Sequence, residues 1–459
     1  STAIYGVYNS STAPYSGAAA GYVNKSEILN EVTGSITIGN GSAGIYAIGF
    51  DKVENKGSLT GGNNSVGIYA TDKDISGNIV RNQDLNVKNS GDITIGNGSA
   101  AIYVTQNSAN KATVTNTGNI TVGDSVLNPN GTVKNPAVAM FIQNGTLTTT
   151  GNVTVGNRAF AFYGKDATIN VNGGNYNFAN SGSLGYLENS TLNYNNTGTL
   201  ATSSEPLLFI DNSKAILNGN DIFVSANGVG AYMTGKSEFT GWNKITLETS
   251  STGIYVDGAT AKVNGNSIVS TNNKAKGIVA LNSNVTNDAK ISLSGDDSIG
   301  IFSRNTSGSA KQIVSNQSFD ISGKRSIGIY LEGTDEQNVI NNGTMNIAAT
   351  TDSNKNNSTV GIYAKGGSKI NITNNGTINV NDGSFGIYSL SENGNVTTNS
   401  VINVADQAIG IYKRGGSVNL SGTVNVAPHT ATALNSEPVG VYGTNGVVVS
   451  DNIKFQCRR

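Results

Sequence analysis

Closely spaced carboxylates are the groups in this chain best suited to acid–base chemistry. Asp296 and Asp297 are adjacent, and Asp74 follows Asp72 by two residues. Glycosidic hydrolysis needs two carboxyl groups about 5 to 9.5 Å apart, a separation that residues one coil apart in a stacked fold can reach. Neither pair is accompanied by a Lys or Arg cluster that would hold an acidic sugar. Other chemistry has less to work with. His429 is the single histidine and Cys457 the single cysteine, so His/Cys metal sites, Ser-His-Asp triads and an intrachain disulfide have no support. Walker loops, HExxH, GxSxG and calcium-binding nonapeptide repeats are absent from the sequence. Neither catalysis nor a cofactor is therefore expected.

The remaining candidates are suited to contact rather than reaction. Trp242, the only tryptophan, falls on an outer face when Ile245 and Leu247 are taken as inward positions. An exposed Trp fits contact with a sugar or a protein; the alternative is a partly covered edge residue. Phe223 lies between inward Ile222 and Val224 and should also face out. Asp72, Asp74, Asn130, Lys134, Asp352, Lys355, His429 and Glu437 belong to segments that interrupt the repeat described next, and complete the set of candidate ligand contacts.

What must position these residues is a repeat. Gly-Ile-Tyr stands at Gly44–Tyr46, Gly67–Tyr69, Gly253–Tyr255, Gly328–Tyr330, Gly361–Tyr363, Gly386–Tyr388 and Gly410–Tyr412, with looser copies such as Ala101-Ile-Tyr103 and Gly440-Val-Tyr442. Most intervals are about 22 to 25 residues, in the range that marks repeat architectures. A second pattern, Val-x-Asn-x-Gly-x-Φ-x-Φ with Φ aliphatic, lies between the aromatic marks. Val87, Asn89, Gly91, Ile93 and Ile95 form one copy; Val114, Asn116, Gly118, Ile120 and Val122 form another. Named positions are two apart, the period of a strand with alternate residues facing inward. Two short strands separated by a bend at Asn and Gly, plus the Gly-Ile-Tyr strand, predict a parallel β-helix. It is an all-β solenoid with three short strands per coil. Coils about 4.8 Å apart give a rod on the order of 80 Å long.

Within that coil, Asn55, Asn89, Asn116, Asn341 and Asn374 are expected to form an internal ladder of amide hydrogen bonds. Period two makes Val66, Ile68 and Ala70 share the inner face and turns Tyr69 outward, so the tyrosines should form an outer aromatic ladder. The alternative is a strand that bends at Gly with Tyr packed inward at a corner. Residues 1–453 read as a single continuous β-helical segment, with insertions near 71–84, 105–111, 124–136, 332–338, 350–359 and 427–438. Their recurrence at two fixed corners predicts loops that line up along the rod. Residues 454–459 read as a tail foreign to the repeat, and no function is read into them.

Composition bounds the partners. Charged residues make up 13% and the formal net charge is −1, which leaves no basic footprint for nucleic acid. Hydrophobic residues at 37%, placed at fixed offsets, argue against disorder. No apolar run approaches the length of a membrane span.

The coil, Gly-Ile-Tyr-Ala followed by Val-x-Asn-x-Gly-x-Ile-x-Ile, resembles the passenger domains of the large fusobacterial-type autotransporter adhesins of type V secretion. The resemblance covers roughly Ile4 to Ile453 and is a scaffold signature. It implies a right-handed parallel β-helix serving as a bacterial cell-surface passenger, anchored in the outer membrane through a translocator barrel that this chain does not contain. It also implies partners of the surface kind: a host-cell receptor or glycan, or other bacteria. The alternatives are a structural stalk that presents a distal binding domain, or a carbohydrate-active β-helix enzyme.

Overall fold

The computed structural model describes residues 1–7, 27–80, 83–202, 204–350, 357–430 and 437–450, and the backbone of 454–457. Among them there is no α-helix. The chain forms two compact units, Ser1–Gly198 with Glu205–Asn218, and Thr199–Ser204 with Gly219–Arg459. Each is a parallel β-solenoid in which strands of successive coils stack into three sheets.

In the first unit the tyrosine sheet runs from Thr2–Val7 through Ala43–Ile48, Val66–Thr71 and Ala100–Thr105 to Leu208–Asp211. The asparagine sheet runs from Glu27–Asn30 to Lys214–Leu217, and a six-stranded third sheet from Ser35–Ile38 to Tyr176–Phe178. The second unit repeats the plan, with an 11-stranded third sheet that starts at Thr199–Thr202. Partners stand in exact repeat register: Ile45 opposite Ile68, Tyr46 opposite Tyr69, Ala47 opposite Ala70.

The period-two reading of the Asn segment holds residue by residue. Val87, Asn89, Gly91, Ile93 and Ile95 are buried, and the residues between them are exposed. The amides form the expected ladder. Nδ2 of Asn30 donates to Oδ1 of Asn55, Asn55 to Asn89, and Asn89 to Asn116, each at 2.7 Å; Asn116 then donates to Thr149 Oγ1 at 3.1 Å. The same Nδ2 groups also donate to the carbonyls of Gly57, Gly91 and Gly118, at 3.0, 2.9 and 3.0 Å. The second unit has the ladder as Asn341 to Asn374 to Thr398. In Asn89→Ala the Asn116 Oδ1 and the Gly91 carbonyl lose the Asn89 amide, while Asn55 Nδ2 keeps the Gly57 carbonyl. The expected loss is about 2–6 kcal/mol, since each of the two buried groups left unsatisfied costs roughly 1–3 kcal/mol. Chemical denaturation checks it, and Asn89→Asp, which keeps only the acceptor, should not restore stability.

The glycine of this motif stands there for space. Gly91 and Gly118 have ordinary negative φ, but a Cβ on Gly91 would lie 1.9 Å from the Gly57 oxygen, and one on Gly118 2.1 Å from the Gly91 oxygen. The carbonyl receiving the Asn amide thus occupies the place of the next coil's side chain, which couples Asn and Gly in one motif.

The tyrosine strand departs from strict alternation. Gly67 and Ile68 are both buried, and Val66 is half-exposed rather than in the core. The ladder skips glycine, passing from Ala43↔Val66 to Ile45↔Ile68, so the strand bends there and changes facing. Beyond the bend Ile68 and Ala70 point in and Tyr69 points out, as period two requires.

Two boundaries differ from expectation. In the 332–338 insertion, Glu332 and Gly333 finish the strand Ile327–Gly333 and Gln337 opens Gln337–Asn341, which leaves three residues as a turn. Residues 454–457, expected outside the repeat, pair in parallel with Thr423–Val426. Backbone register extends the third sheet there, whatever the side-chain composition.

Candidate functional site

The segment Asp124–Pro136 is the largest interruption described throughout. Val126–Leu127 and Val133–Asn135 close it as an antiparallel hairpin on an otherwise parallel framework. At its tip, Asn128 N donates to Thr132 O and Gly131 N to Asn128 O, while Asn130 Oδ1 accepts from Thr132 N and Oγ1. The base is anchored by buried Ser125, whose N–H reaches Asn157 O, whose Oγ donates to Arg158 O at 2.6 Å, and which accepts from Ala137 N.

The hairpin is also braced against neighbouring coils. Asn135 Nδ2 donates to Asn64 Oδ1 at 2.7 Å, and Arg158 Nη1 donates to Gly131 O at 2.6 Å. Val126 lies over Gly98, where a Cβ would come within 2.8 Å of it. The outer surface carries Leu127 and Val133, 41% and 44% exposed, beside exposed Asn130 and Lys134. Two solvated aliphatic side chains with an amide and an ammonium, on a backbone fixed at both ends, can make apolar and hydrogen-bond contacts at low ordering cost.

The other expected contact residues have different fates. Trp242 is a correction: it is 1% exposed, with its ring 6.0 Å from that of Phe239 and against Gly265. Counting back from Ile245 by twos fails because the chain bends at Asn243, between Trp242 and the strand Lys244–Leu247, and the alternation does not carry across that bend. Phe223 is half-exposed between buried Ile222 and Val224, as the alternation requires.

Asp72 is a second correction. It is 3% exposed, and its carboxylate accepts from Asn107 N, Asn107 Nδ2 and Ser108 N at 2.8 to 3.0 Å. It ties the loop after Thr71 to the loop one coil on, so a loop position became a buried fastening. Asp74 caps its own turn, accepting from Ser76 N and Asn78 N, and these bonds hold its carboxyl below the usual range. His429 Nδ1 lies 2.9 Å from Asp406 Oδ1, and Thr430 N and Oγ1 donate to Oδ2. The imidazole first and the threonine second hold the Asp406 carboxyl far below its usual range. That pairing pins the start of the 427–438 loop to the preceding coil. Glu437 is exposed. Asp352 and Lys355 lie outside the described residues.

The carboxylate pairs are dispersed into structural bonds. Asp297 takes Nε and Nη2 of Arg325 at 2.6 and 2.8 Å, and Asp296 accepts from Lys324 N at 2.9 Å. Among the described residues no group of three His, Cys, Asp or Glu side chains could hold a metal ion.

Lys413 escaped sequence reasoning. It occupies the slot after Tyr412 that holds Ala70, Ala364 or Ser389 elsewhere, an inward position by parity, and it is buried. Its Nζ donates to the carbonyls of Ser391 and Arg414. Burial pushes the ammonium down to about 8 from 10.5, opposed by the charge of Glu392. Between those values the unfolded chain binds the proton more tightly, so this residue makes stability rise with pH across that window. Below pH 8 the penalty is fully present. Lys413→Met should therefore raise the denaturation midpoint at pH 7 and flatten the rise between pH 8 and 10.5 that the unsubstituted chain shows in parallel titrations.

The chain matches no protein-family model, no curated protein and no solved structure.

Proposed function

We propose that this chain is an adhesive segment of a bacterial cell surface, binding a host-cell or bacterial ligand, glycan or protein, by non-catalytic contacts. The observation that carries the reading is the hairpin Asp124–Pro136. It is an ordered, braced protrusion whose outer surface exposes Leu127 and Val133 beside Asn130 and Lys134. Rigid scaffolds with function on their loops are the common arrangement. The resemblance of the coil to autotransporter passengers supports the same reading and adds an extracellular, outer-membrane-anchored setting.

The test is saturable binding of the purified chain to host and bacterial cells, with free galactose, N-acetylgalactosamine and arginine as competitors. Residues 127–134 would be replaced by a two-residue turn, keeping Ser125 and Asn135. A folded variant should bind at least about tenfold more weakly, the loss expected when the central contacts of an interface are removed. Undiminished binding would remove the hairpin from the recognition surface.

The burial of Trp242 and Asp72, both expected contacts, favours a second reading as a stalk that presents a distal binding domain. A folded chain that binds no cell would support the stalk.

A further inference from the structure

The outward aromatic ladder is broken into runs. In the first unit Tyr5, Tyr46, Tyr69 and Tyr103 stack without interruption, with ring centroids 5.5, 4.6 and 5.5 Å apart. Phe141 follows at 4.3 Å and ends the run of phenols. In the second unit Tyr330, Tyr363, Tyr388, Tyr412 and Tyr442 stack at 5.1, 5.6, 4.5 and 5.6 Å. Phe302 precedes that run, and Val279 separates it further from Tyr255. Tyr46–Tyr69 and Tyr388–Tyr412 are the tightest tyrosine pairs, with interplanar angles of 14° and 8°.

These rings cover one another's faces, so a sugar ring cannot stack on them. Tyr5 and Tyr442 are exposed and the other tyrosines of the two runs half-exposed, and the phenol oxygen with its ortho carbons lies at the end of each ring away from the backbone. Register places each pair side by side, Tyr46 opposite Tyr69 and Tyr388 opposite Tyr412. One phenol already has a proton acceptor, since Tyr330 Oη donates to Glu332 Oε2 at 3.1 Å. The chain has a single cysteine, so a covalent tie between coils must use other chemistry.

We propose that these two tyrosine runs are sites of oxidative modification, in which neighbouring phenols on successive coils couple to dityrosine. The oxidant is hydrogen peroxide acting through a haem peroxidase. One peroxide takes one electron and one proton from each of two phenols, its O–O bond breaks, and two waters leave. The two phenoxyl radicals then join through a carbon–carbon bond between ortho positions. Each ortho carbon loses its hydrogen as a proton to solvent or a base, and the displaced phenol protons are regained as the rings re-aromatise. The net change is the loss of two hydrogens per pair. Coupling requires the rings to turn about Cβ–Cγ from face-to-face towards edge-to-edge. A radical formed anywhere in a run can pass along the stacked phenols to the tightest pair. Phe141 and Phe302, with no O–H proton to release, stop it.

The experiment treats the full chain with peroxidase and hydrogen peroxide at low protein concentration and isolates the monomer. Dityrosine fluorescence should appear. Cross-linked peptides should join Tyr46 to Tyr69 and Tyr388 to Tyr412 about tenfold more often than pairs across Phe141, such as Tyr103 with Tyr163, because the fold holds the reactants together. Tyr46→Phe and Tyr412→Phe, which keep the stack, should each remove only their own link. The same reaction in urea should lose the pair preference. The proposal is overturned by a folded monomer without dityrosine, by links as frequent across Phe141 as within runs, or by an unchanged pattern in urea.

Discussion

Trp242→Ala should cost about 3–5 kcal/mol of stability, the range for removing a large buried aromatic. The indole is almost fully enclosed, against Phe239 and the bare backbone of Gly265. Surrounding coils are fixed by backbone ladders on both sides, so the void cannot collapse. Stability in a solenoid is approximately a sum of coil and neighbour terms, so the loss should appear locally. Hydrogen exchange should rise most in Lys236–Thr240, Lys244–Leu247 and Thr260–Asn264, and a denaturation scan should show the second unit melting earlier. Trp242→Phe should recover most of the loss. Cell binding by the folded fraction should not change, which separates this residue from the contact role that its position in the sequence suggests.

Gly118→Ala should be comparably severe although it adds one methyl group. The new Cβ would sit 2.1 Å from the Gly91 oxygen and 3.0 Å from Asn89 Nδ2. The obstructing atom belongs to the backbone of the adjacent coil, so the coils must separate or the strand must leave register. Overpacking of this kind costs roughly 1–3 kcal/mol. Breaking the hydrogen bond from Asn89 Nδ2 to the Gly91 carbonyl adds a loss of about 1–3 kcal/mol more. Proteolysis should then cut near Thr117 in a chain that otherwise resists it. Gly98→Ala, at the foot of the hairpin, provides a contrast: its methyl group meets the Asn64 and Val126 side chains, which can shift outward, although its positive φ adds strain. A larger effect at Gly98 than at Gly118 would contradict the reading of the Asn-Gly motif as a problem of space.

Much of this scaffold is legible in the residue pattern because a solenoid is built from near-neighbour repetition. Alternation around Val87 to Ile95 fixes which side chains face inward, and the fixed interval fixes which stack on which. Asn89 with Gly91 announces its ladder because the same pair recurs wherever the chain makes that bend. The tyrosine ladder follows from parity as well. Its strand start does not: Val66 was expected inside, and the bend at Gly67 turned it out.

Alternation gave the outward facing of Phe223, and position in an insertion gave the exposure of Asn130, Lys134 and Glu437. Asp72 and His429 lie in insertions of no fixed period, and their roles depend on the coil beside them. Asn107 and Ser108 claim the first, and Asp406 the second. Asp124–Pro136 was visible as an insertion, but its hairpin depends on anchors at Asn64, Asn157 and Arg158, far away in sequence or offset by a coil.

The sequence by itself determined the all-β coil, its three strands, its register and its inner amide ladder, because each follows from local period and from like residues recurring at one interval. Tertiary structure alone decided that Trp242 is core, that Asp72 and His429 are fasteners, that Lys413 is buried, and that one insertion stands as a braced hairpin. Those outcomes turn on where the backbone bends and on which neighbouring coil has an unpaired group within reach, and neither is encoded in the spacing of a single repeat.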